Sequence, residues 1–203
     1  TITLHQGDLP ETVDLGDVIA VDTEAMGLSN HRDRLCLVQL SSGDGTAHLV
    51  QLRADDYEGA ANLKKMLADT SRKKLFHFAR FDVAIIKLYL GVECTPLYCT
   101  RTASKLARTF TDKHGLRDLC KDLLEVDINK QAQSTDWGAE TLTQDQLVYA
   151  ANDVLLLHAL KDKLELMLER EGRRTLAHRT MECIMPRALL DLAGWQDVDI
   201  FAH

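Results

Sequence analysis

Three short stretches of this chain carry carboxylates in settings where a buried core would not ordinarily tolerate them. The first is Asp22-Thr23-Glu24, at the end of the apolar run Val18-Ile19-Ala20-Val21. Residues two apart in a strand point to the same face, so Asp22 and Glu24 aim at one point and repel each other unless cations lie between them. The second is Asp82, which follows Phe81 where a strand-like segment gives way to a helical pattern. An acid at a helix start can equally be a cap for free backbone N–H groups. The third is Tyr149-Ala150-Ala151-Asn152-Asp153, running on into Val154-Leu155-Leu156-Leu157. Tyr149 and Asp153 share a helix face. A carboxylate on the inward side of so apolar a helix is costly unless paired or metal-bound. A solvent-facing Asp153 is the alternative this segment alone leaves open.

These residues need a frame. Asp17 to Glu24, Arg34 to Ser41, Thr46 to Leu52 and Lys74 to Phe78 read as strands, and Ser42-Gly43-Asp44-Gly45 between the second and third is a hairpin signal. Asn62 to Leu67 reads as a helix, and so does Asp82 to Leu90, which stops at Gly91. Thr100 to Thr109 and Leu116 to Leu124 are two more. Thr143 can cap a helix that starts near Gln144 and passes Tyr149 and Asp153 toward Glu171, with room for a bend. A last amphipathic stretch, Arg174 to Leu192, is interrupted before Pro186. The expectation is one α/β domain with a catalytic core at about 17–171 and a C-terminal helical extension at about 172–195.

Bulk properties narrow the function. With 203 residues, 45% of them hydrophobic, the chain can bury one good core. No apolar run approaches the roughly 20 residues of a membrane span, and the N-terminus lacks the pattern of a secretory signal, so a cytoplasmic protein is expected. Five scattered cysteines without a C-x-x-C pair argue for reduced thiols rather than a disulfide frame or zinc site. The net charge of −7 disfavours generic binding of long duplexes, which relies on many basic contacts. It leaves open a small substrate held through metal ions.

In order and spacing, Asp22-Thr23-Glu24, His77-Phe78-Ala79-Arg80-Phe81-Asp82, Ser134-Thr135-Asp136-Trp137 and Leu142-Thr143-x-x-Gln146-x-x-Tyr149-Ala150-x-x-Asp153 resemble the DEDDy branch of the DnaQ-like 3′→5′ exonucleases, closest to the ribonuclease D group. The resemblance spans about Val18 to Leu160. It implies a ribonuclease H-like fold, with a mixed five-stranded sheet flanked by helices, and two divalent ions, Mg²⁺ or Mn²⁺. Such hard cations prefer carboxylates to Cys or His. Two of them ~3.5–4 Å apart can clamp the attacking and leaving oxygens of a phosphodiester. By resemblance, Asp22, Glu24 and Asp153 hold the first ion, Asp22 bridges to the second, Asp82 anchors through water, and Tyr149 orients the attacking water.

Within the group, Met26 to Leu35, Tyr98-Cys99-Thr100 and Asp136-Trp137 look closest to the bacterial nanoRNase C proteins. That likeness implies an oligomer, up to a ring-like octamer, acting on RNA dinucleotides, with short DNA also open. Leu28 would wedge against the bases, or be a plain apolar contact at a strand end. His77 and Phe81 would line the sugar and 3′-end, although a satisfied buried His fits equally. Lys105 and Arg108, on one helix face, are candidates for a phosphate, as Lys130, Gln133 and Trp137 are for the same rim. Trp137 is the better core anchor. The sequence departs from larger ribonuclease D enzymes by lacking room for their helical RNA-binding domains, and Glu140-Thr141 stands where they often have Arg-Pro. A broader exonuclease on longer RNA or DNA ends, and a non-catalytic nucleic-acid-binding module, are the competing readings.

Overall fold

A computed structural model describes residues 1–128 and 135–203. Lys130, Gln133 and Ser134 therefore lie outside the described residues. Strands β1 (Ile2–Gln6), β2 (Val18–Ala25), β3 (Leu35–Ser41), β4 (Ala47–Gln51), β5 (Lys73–Phe76) and β6 (Leu97–Cys99) form one sheet in the order β1-β4-β3-β2-β5-β6. The β2–β3 and β3–β4 pairs are antiparallel, and β1–β4, β2–β5 and β5–β6 are parallel. The sheet has six strands, not five. β1 is short and carries Thr3, His5 and Gln6 among its five residues, so it lacks an apolar run. β6 has three residues, too few to show a period.

Helices cover both faces. Ala20, Leu37, Leu49 and Leu75 pack under α3 (Thr100–Ala107), α4 (Leu116–Leu124), α5 (Gln144–Leu155) and α6 (Leu157–Arg170). Their neighbours in sequence, Ile19, Val21, Val38, Leu40, Val50 and Phe76, face α1 (Ala61–Ala68), α2 (Ala79–Leu90) and α8 (Ile184–Leu192). β2 therefore alternates strictly, with Ala20, Asp22 and Glu24 toward α5 and Ile19, Val21 and Thr23 toward α2.

The helix through Asp153 is broken at Leu156, so α5 and α6 meet at a bend. The last stretch divides at Cys183 into α7 (Arg174–Glu182) and α8. Pro186 sits in the first turn of α8, where a missing N–H is tolerated. α8 packs on α2, and α7 on α3 and β6, so the C-terminal helices belong to the same packed body. Cys36, Cys94, Cys99 and Cys120 are buried free thiols, and Cys183 is exposed. Among the described residues no helix is long and apolar enough to cross a membrane.

Candidate active site

The alternation of β2 places Asp22 and Glu24 beneath α5, whose inward face brings down Asp153. One carboxylate oxygen from each of the three lies within 4.8 Å of the others. Burial pushes the Asp22 carboxyl well above its usual range, and the charges of Asp82, Asp153 and Glu24 raise it further. Burial, then Asp153 and Asp82, push Glu24 up to about 9. Acids so placed cannot all be ionised near neutrality without a compensating positive charge. An all-oxygen set of this kind fits a hard divalent cation, and Asp22, Glu24 and Asp153 are the residues that would hold it.

Asp82 reaches the site from the opposite face. It is not the cap of α2, which begins at Ala79 after Phe78. It lies within the first turn and is buried. Thr23, pointing away from its acidic neighbours, donates its hydroxyl to Asp82 Oδ1 at 2.5 Å. Burial raises the Asp82 carboxyl to about 7, against the lowering pull of that hydrogen bond. Asp82 is outside the three-acid group, but its charge is felt by both Asp22 and Glu24.

Gln39 lies directly across the β2–β3 ladder from Asp22 and is fully buried. Its Nε2 donates to Asp22 Oδ2 at 3.3 Å, while its Oε1 has no protein partner. A buried amide left half-satisfied costs about 1–3 kcal/mol. What it achieves here is to turn one oxygen of Asp22 toward the strand.

Tyr149 stands one turn before Asp153, with its ring 6.0 Å from that of buried Trp137. Burial, then the charges of Asp153, Glu24 and Asp22, hold its hydroxyl well above the usual tyrosine range. It keeps its proton at neutral pH and serves as a donor. The N-terminus of α5 is fixed by a reciprocal capping box between Thr143 and Gln146. Gln146 Nε2 also donates to Thr135 Oγ1 and to the Asp136 carbonyl, tying the Thr135-Asp136-Trp137 segment to the helix that carries Tyr149 and Asp153.

The expected substrate contacts divide. Leu28, just beyond β2 and four residues after Glu24, is 86% exposed, a large apolar side chain presented to solvent. It lines one cavity with Phe81 and Phe78. His77 is half-buried, with Nδ1 in a hydrogen bond with Thr100 Oγ1 at 2.9 Å, and that hydroxyl also lies within 3.2 Å of the Phe76 carbonyl. Lys105 is exposed. Arg108 is not available to a phosphate: it is 3% exposed, and its guanidinium bonds Asp122 Oδ2 and the Lys113 carbonyl. At the end of α3 its side chain turns inward, a rotation that three-residue spacing does not reveal. Trp137 is a core anchor, as expected.

Three contributors were missed. Thr23 and Gln39 brace acids, and a Gln within Leu35-Cys36-Leu37-Val38-Gln39-Leu40 was the available signal for the second. Phe78 adopts a left-handed backbone (φ 67°) and holds its ring half-exposed, with the Arg101 guanidinium 4.7 Å above it. No sequence pattern announces that conformation in an aromatic residue.

Residues 8–169 match the 3′–5′ exonuclease family. The NrnC of Brucella melitensis solved with bound pGG is 51% identical, with a TM-score of 0.96, and the match covers 100% of this chain and 98% of that one. The chain belongs to the NrnC group of 3′–5′ exonucleases. An NrnC structure from the same organism with bound Mg²⁺ superposes with a TM-score of 0.95 at 50% identity, over 100% of this chain and 99% of that one. A ribonuclease D from Acidiphilium cryptum is 34% identical over 76% of this chain and 39% of its own length. The chain thus spans about two-fifths of that curated relative. Escherichia coli RNase D shares the fold at 26% identity and a TM-score of 0.75, covering 89% of this chain and 48% of that one.

Proposed function

We propose that this NrnC-group exonuclease degrades very short RNA, splitting dinucleotides into nucleoside 5′-monophosphates. The observation that carries the reading is the relative bound to pGG, similar along the whole chain, together with this chain's own acidic cluster beneath α5. The net charge of −7 and the small cavity lined by Leu28, Phe78 and Phe81 agree with a substrate held by a few close contacts rather than along a basic track.

In this reading Asp22, Glu24 and Asp153 hold divalent cations, two by family likeness, with Mg²⁺ or Mn²⁺ as the candidates. Bound there, the cations supply charge stabilisation at the attacking and leaving oxygens. Gln39 and Thr23 keep Asp22 and Asp82 in register. Tyr149 Oη, still protonated, fixes the orientation of the attacking water. Water gives up a proton to solvent as its oxygen adds to phosphorus in line, the bond to the 3′-oxygen of the preceding nucleotide breaks, and that oxygen takes a proton from solvent. Leu28 and Phe81 hold the bases, and His77 the sugar. Exposed Leu176, Leu189 and Trp195 would be covered in a homo-oligomer, up to an octamer, which light scattering would size.

The test uses 5′-labelled RNAs of two to seven nucleotides, and matching DNA, with Mg²⁺ or Mn²⁺. Dimers should be cut much faster than heptamers. Equal rates would replace this reading with a broader exonuclease on RNA or DNA ends, which the ribonuclease D likeness favours.

A further inference from the structure

The cavity lined by Leu28 and by Phe81, the residue before Asp82, has two unlike walls. One is Leu28, Phe78 and Phe81, which come from the end of β2 and the start of α2. The other is the end of α8 and the turn after it, including Asp191, Leu192 and Gln196. This second wall is held by a charge clamp. Arg80 donates to both carboxylate oxygens of Asp191, at 2.6 and 2.8 Å, and to the Gln196 carbonyl at 2.8 Å. Arg187 donates to Asp191 Oδ1 at 2.7 Å, to the Val198 carbonyl at 2.8 Å and to the carbonyl of Trp195. His31, in the loop after β2, bonds the Leu192 carbonyl at 3.1 Å. An exposed turn of this kind has little apolar burial of its own, and these charge-assisted bonds fix its position.

The match to the 3′–5′ exonuclease family ends before this wall. The family match stops at residue 169, and the Acidiphilium ribonuclease D aligns over 76% of the chain, whereas the pGG-bound relative aligns over all of it. With a volume of about 340 Å³, the cavity is at the small end of ligand sites, with room for one nucleobase and part of its sugar.

We propose that the clamped segment 191–197 is a specificity wall: it closes the cavity around one nucleobase of the substrate, opposite Phe78 and Phe81, and so favours two-nucleotide substrates over longer ones. This rests on the proposed dinucleotide activity. Asp191 is a positioning residue that acts through the two arginines, while Gln196 lines the cavity itself.

Kinetics on two- and seven-nucleotide RNAs, with inhibition by the product nucleoside 5′-monophosphate, test it in the full chain. Asp191→Asn should lower the dimer-over-heptamer kcat/KM ratio about tenfold, through a raised KM for the dimer, and should raise the product Ki similarly. The rise in Tm on adding Mg²⁺ should be unchanged, since the acids are untouched. Gln196 is exposed, so its variants spare the core: Gln196→Trp should fill the cavity and raise both constants, and Gln196→Ala should flatten the length preference. If Asp191→Asn does not fold, the Gln196 pair decides. Folded variants with wild-type ratio and Ki would overturn the wall. A wild-type enzyme without length preference would overturn the dinucleotide activity instead, and the product Ki would still report whether the wall touches a base.

Discussion

Returning divalent cation to the metal-free protein at constant pH should expel protons. The acids under α5 set the amount. At pH 7 Glu24, with its carboxyl at about 9, holds close to one proton, and Asp82, at about 7, holds about half. Asp22 is raised in the same direction. A cation seated among these groups favours their ionised forms, so release should lie between about one and about two and a half protons per chain. At pH 9 the Glu24 share should fall to about half a proton and that of Asp82 should vanish. Titration calorimetry with Mg²⁺ or Mn²⁺ in PIPES and in Tris reads this directly, because released protons add each buffer's ionisation heat. Stability follows with a definite sign. Both carboxyls are raised on folding, so the folded metal-free protein binds more protons than the unfolded chain, and its stability falls as pH rises from about 4 toward 7 for Asp82 and toward 9 for Glu24. The metal-free Tm should drop between pH 5 and 8, and cation should restore most of the loss. Identical binding heats in the two buffers at pH 7 would refute this account, since the acids would already be ionised.

Other outcomes follow from single contacts. Tyr149→Phe should lower kcat about a hundredfold while the cation dependence of Tm stays in place, because the hydroxyl orients water and the carboxylates bind the ion. Gln39→Leu keeps the buried volume, removes an unsatisfied oxygen and deletes the donor to Asp22. Stability should hold within about 1 kcal/mol, while the Mg²⁺ concentration for half-maximal activity rises about tenfold. Thr143→Ala should cost about 1 kcal/mol in a denaturant titration by opening the capping box, with kcat of the folded fraction unchanged.

Much of the site was legible because it depends on local geometry. Strand alternation alone placed Asp22 and Glu24 together, and helical spacing paired Tyr149 with Asp153. The Thr143 cap and the Gly91 stop were visible for the same reason. What failed depends on tertiary context. The start of α2 was placed three residues late, at Asp82, because the strand-to-helix boundary falls at Phe78, whose left-handed backbone carries no sequence signal. Arg108 looked available because spacing gives a face and not the partner across it, here Asp122. β1 was missed because its strand character comes from pairing with β4, far along the chain, and not from its own hydrophobicity.

The alternation of β2 also limits how this protein can change length. Inserting or deleting one residue between Ala20 and Asp22 would turn both acids toward α2 and bring Thr23 under α5 in their place. The strand could still form and the sheet still pair, so the loss would fall on chemistry before it fell on folding. A two-residue change restores the facing but moves the acids by about 6.6 Å along the strand, away from Asp153. The site thus behaves as a parity check on a single strand. Substitutions around it can be absorbed one at a time, but no small change of length in β2 can.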